Sequence, residues 1–184
     1  MIEPRSDNPV RRSLGGTIRD DRVMEMREAT PEDAGFLSDM LLAACNWSGE
    51  ERITRSDIDR NPQLRHYVSD WPREDDVGVV AVDDDGVPVG AVWARRFSVD
   101  DPGYGFVAPD VPELSLAVAS AQRGRGIGRR LLESIVELAR QRGWRAVSLS
   151  VQDGNRATRL YRAVGFRAVA RNENAQTMLL EIRP

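Results

Sequence analysis

The chain has 184 residues and a formal net charge of −3, with 26 Lys and Arg residues against 29 Asp and Glu residues. This length suits one domain with a substantial core, and the slightly acidic charge gives no support to nucleic-acid binding. Cys45 and His66 are the only residues of their types, which excludes an intramolecular disulfide and a Cys/His metal cluster, so no metal site is expected.

Residues 1–22 carry prolines, glycines and many charges without apolar periodicity. We predict that they form a disordered extension, followed by a single domain over 23–184. The extension has no apolar segment of the kind found in leader peptides, and the chain has no long apolar run. A cytoplasmic protein that does not engage a membrane is therefore expected.

The domain itself reads as α/β, because apolar periodicity and capping residues mark both strands and helices. Thr30 precedes Pro31 and two acidic residues, which is typical of a helix start, and an Asp-Gly turn at Gly86 separates two β-branched runs. A strand-helix-strand unit over 113–151 predicts one parallel strand pair in a mostly antiparallel sheet. The predicted elements are a strand at 23–27, a helix at 30–45, one or two short helices within 46–76, strands at 77–82, 87–97 and 113–119, a helix at 126–143, a strand at 146–151, a helix at 156–164, and strands at 167–171 and 176–182.

A glycine-rich turn, Arg123-Gly124-Arg125-Gly126-Ile127-Gly128, lies between a strand and a helix. Its glycines let the backbone approach a ligand, and the helix adds unpaired N–H groups and a positive dipole end, which suits a pyrophosphate. A P-loop would need Lys and Ser or Thr where Arg129 and Arg130 stand, and the glycine spacing fits a dinucleotide-binding loop poorly. An ordinary strand-to-helix turn remains an alternative for this segment taken alone.

Two motifs make the chain resemble the GNAT superfamily of N-acetyltransferases. The turn from Arg123 to Gly128, behind the strand end at Leu116 to Val118, is similar to the acetyl-coenzyme A signature of that family. The segment from Asn155 to Phe166 is similar to its Asn…Ala…Leu-Tyr-x-x-x-Gly-Phe segment, with Asn155 one residue nearer the tyrosine than in the commonest spacing. The resemblance implies the acyl-CoA N-acyltransferase fold, a mixed and mostly antiparallel sheet with one central parallel pair, flanked by helices.

The resemblance also implies acetyl-CoA as co-substrate and direct transfer of acetyl to a primary amine through a tetrahedral intermediate. Backbone amides of the turn would hold the pyrophosphate, and the strand end would bind the pantetheine. The N–H of Val118 would polarise the thioester carbonyl. The implied cofactor-binding residues are Leu116, Ala117, Val118, Arg123, Gly124, Arg125, Gly126, Ile127, Gly128, Arg129, Asn155 and Tyr161.

Two side chains are catalytic candidates. Tyr161 would hydrogen-bond or protonate the departing thiolate, and its alternative role is ring packing under the sheet. Glu113, five residues before Val118, would accept the proton of the amine directly or through water, and its alternative role is that of a strand-end carboxylate. Weaker candidates for the base are Asp110, Asp101 and His66.

The sequence does not determine the identity of the acceptor. Aromatic residues in the segments expected on the acceptor side belong either to the core or to a cleft, and acidic neighbours such as Asp70, Glu74 and Asp100 would suit a cationic amine. Both a small-molecule amine and a peptide or protein amine fit. A longer acyl group, a hydroxyl acceptor and a coenzyme A-binding regulatory module without turnover are alternatives, and a homodimer through the C-terminal strands is a further expectation. The aromatic residues are Trp47, Tyr67, Trp71, Tyr104 and Phe106.

Overall fold

The computed structural model describes residues 24–183, so the predicted extension at 1–22 lies outside the described residues. The strands are β1 (Glu25–Glu28), β2 (Val77–Val82), β3 (Pro88–Arg95), β4 (Glu113–Val118), β5 (Ala146–Gln152), β6 (Arg167–Asn172) and β7 (Ala175–Glu181). The helices are α1 (Ala34–Cys45), α2 (Arg55–Arg60), α3 (Pro62–Arg65), α4 (Ile127–Gln141) and α5 (Ala157–Val164), with short 3₁₀ turns at Pro31–Asp33 and Ser120–Gln122.

The seven strands form one sheet in the order β1-β2-β3-β4-β5-β7-β6. Neighbouring strands pair antiparallel except β4 and β5, which are parallel and are connected through α4. A parallel pair needs a long crossover connection, and the apolar i, i+4 pattern of α4 provides one that packs back onto the sheet. The predicted mixed sheet with one central parallel pair is therefore confirmed.

Each face of the sheet is covered by its own apolar core. On one face Leu131, Leu132 and Ile135 of α4 are almost completely buried against the strands. On the other face Leu37 of α1 packs in a cluster with Trp93 of β3. Each such side chain contributes about 1.5–3 kcal/mol on burial, so the two layers hold the central strands between them.

The central parallel pair opens into a cleft. The β4–β5 register is limited to one residue pair, Glu113 with Ser148, and the N–H of Ser148 donates to the carbonyl of Pro112 at 2.9 Å. Beyond this point Ser115 on β4 and Ser150 on β5 are partly exposed although both strands are central. The carboxyl ends of parallel strands are where α/β sheets bind ligands, and here those ends diverge.

The outer strand β6 is exposed along its whole length at the edge of the sheet. That edge is open to pairing, and the homodimer through the C-terminal strands stays a prediction. Between residues 24 and 183, no helix combines the length and the apolar character needed to cross a bilayer.

Candidate active site

The glycine-rich turn forms an open cradle of backbone amides at the start of α4. The N–H of Arg123 donates to Ser120 at 3.4 Å and that of Arg129 to Gly126 at 3.1 Å, so both ends of the turn are internally bonded. The N–H groups of Gly124, Gly126, Ile127 and Gly128 donate to no acceptor among the described residues. Gly124 and Gly126 both have φ of 81°, and a Cβ at either would meet nothing within 4 Å. The space and donors fit a pyrophosphate.

The end of β4 presents a further backbone donor beside this cradle. The N–H of Ala119 donates to the carbonyl of Val89 in β3 at 2.9 Å. Since successive residues of a strand point their N–H groups to opposite sides, the N–H of Val118 is directed away from β3 and toward the β4–β5 cleft. Its carbonyl is held by Nε of Arg123 at 3.2 Å. A carbonyl oxygen entering the cleft would therefore meet an oriented donor.

Helix α5 brings the second motif against the first. A Cβ at Gly128 would lie 3.4 Å from Leu160 and 3.8 Å from Leu116, which shows how closely α5 and the end of β4 approach the first turn of α4. Tyr161 follows on α5 and is 7% exposed. Its hydroxyl makes no hydrogen bond with the described residues, and burial raises the pKa of its phenol to about 12. Tyr161 therefore stays protonated at neutral pH and is able to donate.

Asn155 has a local structural role in the same region. Its Oδ1 accepts from the N–H of Ala157 at 2.9 Å, at the start of α5. Such an Asx turn satisfies one of the unpaired donors at a helix start. The side-chain oxygen of Asn155 is thus engaged with α5, and its predicted contact with the cofactor stays a prediction.

The arginine side chains around the turn differ in their partners. A terminal nitrogen of Arg123 donates to the carbonyl of Trp47 at 3.1 Å, which ties the cradle to the loop after α1. Arg125 donates to Gln122. Arg129 pairs with Glu133 at 3.6 Å, with both side chains about half exposed. Exposed i, i+4 pairs are worth about 0.3–0.5 kcal/mol, so Arg129 can exchange this partner for a phosphate at little cost.

Glu113 is buried rather than solvated at its strand end. It is 3% exposed, and its Oε1 accepts from the hydroxyl of Tyr67 and from the N–H of Gly105, both at 2.8 Å. Its Oε2 is buried and has no hydrogen-bond partner. Burial raises the pKa of this carboxyl to about 7. Such a carboxyl is balanced between its acid and base forms near neutral pH, as a general base requires.

The weaker candidates for the base are engaged elsewhere. Asp110 binds Arg145 at 2.6 Å on the surface, which lowers the pKa of Asp110. Asp101 contacts Nδ1 of His66 at 2.9 Å. Burial raises the pKa of the Cys45 thiol to about 11, so that group is not a thiolate near pH 7. Among these groups, Glu113 has the environment best suited to accepting a proton.

The aromatic residues divide between core and cleft. Trp71 is buried and donates to the carbonyl of Thr30 at 3.0 Å, and so belongs to the core. Trp47 donates to Gln152 at 2.7 Å near the carboxyl end of β5, and Tyr67 with Tyr104 lies beside Glu113. Asp70, Glu74 and Asp100 are all exposed, and their part in an acceptor cleft stays a prediction.

The sequence analysis placed Tyr104 and Phe106 of the loop before β4 on the acceptor side, but it did not predict that the glycines of this loop pack against Glu113. A Cβ at Gly103 would lie 2.2 Å from Oε2 of Glu113, and one at Gly105 would lie 2.5 Å from the backbone of Leu149. These two glycines allow the loop to pack between the carboxylate and β5. The signal was the alternate spacing of glycines at 103 and 105, the same spacing as in the cradle.

Comparison with solved structures places this fold among acetyltransferases. An acetyltransferase of the GNAT family from Staphylococcus aureus Mu50 superposes with a TM-score of 0.67 at 16% identity, covering 88% of this chain and 100% of that chain. YncA of Salmonella typhimurium, solved with its cofactor acetyl-CoA, gives 0.60 at 20% identity, with 88% and 95% covered. The PaiA N-acetyltransferase of Thermoplasma acidophilum, in complex with coenzyme A, gives 0.63 at 16% identity, with 86% and 99% covered. At these identities the likeness shows the fold.

Sequence comparison agrees with the structural one. "Probable N-acetyltransferase camello" of Xenopus laevis is 44% identical over 57 residues, which are 29% of this chain and 25% of that protein. The match thus spans a quarter of the length of that relative. The sequence profile of the acetyltransferase (GNAT) family matches residues 41–166, which is more than half of the chain and includes the cleft, the cradle and α5. The chain therefore belongs to the GNAT family of acetyltransferases.

Proposed function

We propose that this protein is an N-acetyltransferase that moves acetyl from acetyl-CoA directly to a primary amine. The observation that carries the proposal is the arrangement along β4. One end of the strand holds a buried carboxylate, Glu113, with a free oxygen and a pKa of about 7. The other end leads through Val118 into an open cradle of amides suited to a pyrophosphate.

The cradle and the strand end would hold the co-substrate. The N–H groups of Gly124, Gly126, Ile127 and Gly128 would bind the pyrophosphate, with Arg129 available for a phosphate. The N–H of Val118 would stabilise negative charge on the carbonyl oxygen in the cleft. Bound acetyl-CoA supplies an acetyl group already activated as a thioester, so the protein needs to orient it, accept one proton and donate another.

Glu113 is the proposed proton acceptor. As the amine nitrogen bonds to the acetyl carbon, the nitrogen gives up a proton, which Oε2 of Glu113 takes directly or through water. This oxygen has no competing hydrogen bond among the described residues. Its pKa of about 7 leaves a large fraction of the carboxylate ionised at neutral pH.

Tyr161 is the proposed proton donor. When the carbon–sulfur bond breaks, the electron pair remains on sulfur, and the phenol of Tyr161 stabilises or protonates it. The hydroxyl is protonated, because its pKa is raised to about 12, and it has no other partner among the described residues. After product release, Glu113 gives its proton to solvent and Tyr161 takes one back from solvent.

Direct transfer is favoured over a covalent acyl-enzyme. A cysteine must ionise to act as a nucleophile, and the only cysteine has a thiol pKa raised to about 11 by burial. Cys45 also belongs to α1 rather than to the cradle.

The test is release of coenzyme A thiol from acetyl-CoA over a panel of acceptors. The panel contains small primary amines, polyamines, amino acids, a peptide with a free N-terminus and an N-blocked lysine peptide, with matched alcohols as controls. We expect thiol release with at least one amine, an N-acetyl product by mass spectrometry, and none with its alcohol. Tight coenzyme A binding without thiol release across the panel would instead indicate a regulatory module.

A further inference from the structure

We propose that Tyr67 is a positioning residue for Glu113, whose hydroxyl holds one carboxylate oxygen so that the other is presented to the acceptor amine. The inference rests on the proposed function, because it assigns to Tyr67 the orientation of the proposed base. Tyr67 lies 46 positions before Glu113, in the segment after α3, and no other part of its side chain is polar.

The direction of the hydrogen bond is determined by a second contact. The N–H of Tyr104 donates to the hydroxyl oxygen of Tyr67 at 2.6 Å. That oxygen therefore acts as acceptor toward Tyr104, and its own proton points to Oε1 of Glu113 at 2.8 Å. With the N–H of Gly105 also donating to Oε1, one carboxylate oxygen has two donors and Oε2 has none.

Strand β3 holds Tyr67 in place through the main chain around it. Trp93 donates from Nε1 to the carbonyl of Tyr67 at 2.9 Å. Arg95 donates to the carbonyls of His66 at 2.5 Å and Ser69 at 2.9 Å. Three carbonyls of one short segment thus bind two buried side chains of the strand that pairs with β4, which fixes the Tyr67 ring relative to Glu113.

The ionisable side chains that surround Glu113 make contacts with other residues of their own. Arg95, its register partner on β3, forms a buried pair with Asp76, with 1% and 2% of their side chains exposed. His66 contacts Asp101, and Tyr104 stacks on Tyr67 at a centroid distance of 6.2 Å. Ser148 is the partner on β5, and its buried hydroxyl has no hydrogen-bond partner. The bonds that favour the ionised form of Glu113 come from Tyr67 and Gly105.

Replacing Tyr67 by Phe separates this role from simple packing. Phenylalanine removes only the hydroxyl and keeps the ring, whose centroid lies 4.9 Å from that of Phe97 and 4.8 Å from that of His66. Loss of a donor to a carboxylate disfavours its ionised form and raises its pKa. A purely structural role would lower stability without moving the titration of Glu113.

The experiment is a ¹³C NMR titration of the full chain labelled at the glutamate side-chain carboxyl, with the Glu113 signal assigned by its loss in Glu113→Gln. We expect the Glu113 carboxyl to titrate with a midpoint near pH 7 in the parent protein. In Tyr67→Phe its acid dissociation constant should fall about tenfold, which moves the midpoint up by about one pH unit. Tyr104→Phe is the matched control, because it retains the N–H that binds Tyr67, and its midpoint should stay at the parental value.

Turnover is measured on the same variants with the amine found in the acceptor panel. Tyr67→Phe should lose more activity at pH 6.5 than at pH 8.5, with coenzyme A affinity and circular dichroism unchanged. An unshifted Glu113 midpoint in folded Tyr67→Phe overturns the inference. Full turnover in Glu113→Gln would instead overturn the proposed base, and with it the catalytic part of the inference, whatever the titration of Tyr67→Phe shows.

Discussion

Nε of Arg123 donates to the carbonyl oxygen of Val118 at 3.2 Å, while a terminal nitrogen of the same guanidinium donates to the carbonyl of Trp47 at 3.1 Å. One side chain thus joins the end of β4, the glycine-rich turn and the loop after α1. The N–H and the carbonyl of one residue in a strand point to the same side, so Arg123 binds Val118 at the edge that faces the cleft and orients the strand end before any ligand arrives. The family motif contains this arginine, and its observed contacts are with protein carbonyls.

The first prediction concerns Arg123→Met, which keeps the aliphatic stem and removes every donor. We expect coenzyme A to bind about five- to tenfold more weakly by isothermal titration calorimetry, because the loss of bonds worth roughly 1–1.4 kcal/mol leaves the turn less ordered before binding. The matched control is Arg140→Met, whose guanidinium pairs with Glu137 at 3.1 Å on the surface. Equal affinity in the two variants would contradict the role given to Arg123.

The second prediction uses two glycines with similar backbone conformations. Gly126 has φ of 81° and Gly86 has φ of 76°, and a Cβ at either position meets nothing within 4 Å. Glutamate at either site should lower stability by about 1–2 kcal/mol through backbone strain. Only Gly126→Glu should also abolish coenzyme A binding, because its carboxylate enters the amide cradle. Binding by Gly126→Glu at the level of Gly86→Glu would exclude the cradle as the pyrophosphate site.

The third prediction is that Tyr161→Phe lowers turnover by about 10²-fold with little change in coenzyme A affinity. The reason is that its hydroxyl has no partner among the described residues, and its proposed role is to donate to the leaving group. The melting temperature should stay within a few degrees, since the ring keeps its contact with Phe166 at 5.9 Å. Steady-state thiol release and calorimetry measure the two effects, and parental turnover would remove Tyr161 from the reaction.

The fourth prediction is that Glu113→Gln lowers turnover by about 10²- to 10⁴-fold at pH 7.5. In the parent protein the carboxylate must be ionised to accept a proton, so kcat should fall as the pH drops below the pKa of about 7. Glutamine cannot ionise, and the pH dependence near 7 should disappear with it. If kcat of Glu113→Gln still falls below pH 7 as it does in the parent protein, a group other than Glu113 causes that fall.

The fifth prediction concerns the pH dependence of stability. The pKa of Glu113 is raised from 4.5 to about 7 in the folded protein, so below pH 4.5 the group is protonated in both states and has no effect. Between pH 4.5 and 7 only the unfolded chain loses the proton, which lowers the free energy of unfolding by up to about 3 kcal/mol. Relative to the parent, Glu113→Gln should therefore become more stable from pH 5 to pH 8 by urea denaturation. If the difference in the free energy of unfolding between the two proteins does not change with pH, the pKa of Glu113 is not raised.

The secondary structure was predictable because its signals are local. The helix expected from near Gly126 to Gly143 is observed at Ile127–Gln141, and the hairpin around Gly86 is observed with strands at Val77–Val82 and Pro88–Arg95. Helix caps, glycine turns and apolar periodicity act over a few residues, and each can be read from neighbouring positions.

The surroundings of the proposed base were not predictable in this way. Burial raises the pKa of Glu113, and the glycines of the loop before β4 pack within contact distance of its carboxylate. Its Oε1 accepts a hydrogen bond from the hydroxyl of Tyr67, which lies 46 positions away in the sequence. Trp47 and Gln152, which meet at the cleft, are 105 positions apart. Contacts at such separations depend on the packing of whole elements, which no local pattern encodes.

The sequence by itself determined the order of the elements, the mixed sheet and the glycine-rich turn between strand and helix, because these follow from short-range periodicity and backbone freedom. Only the tertiary structure decided that β4 and β5 diverge after Glu113 and Ser148, and that one carboxylate oxygen of Glu113 is bound while the other has no hydrogen-bond partner. These features depend on desolvation and on partners brought together from distant parts of the chain, and both arise only when the layers pack.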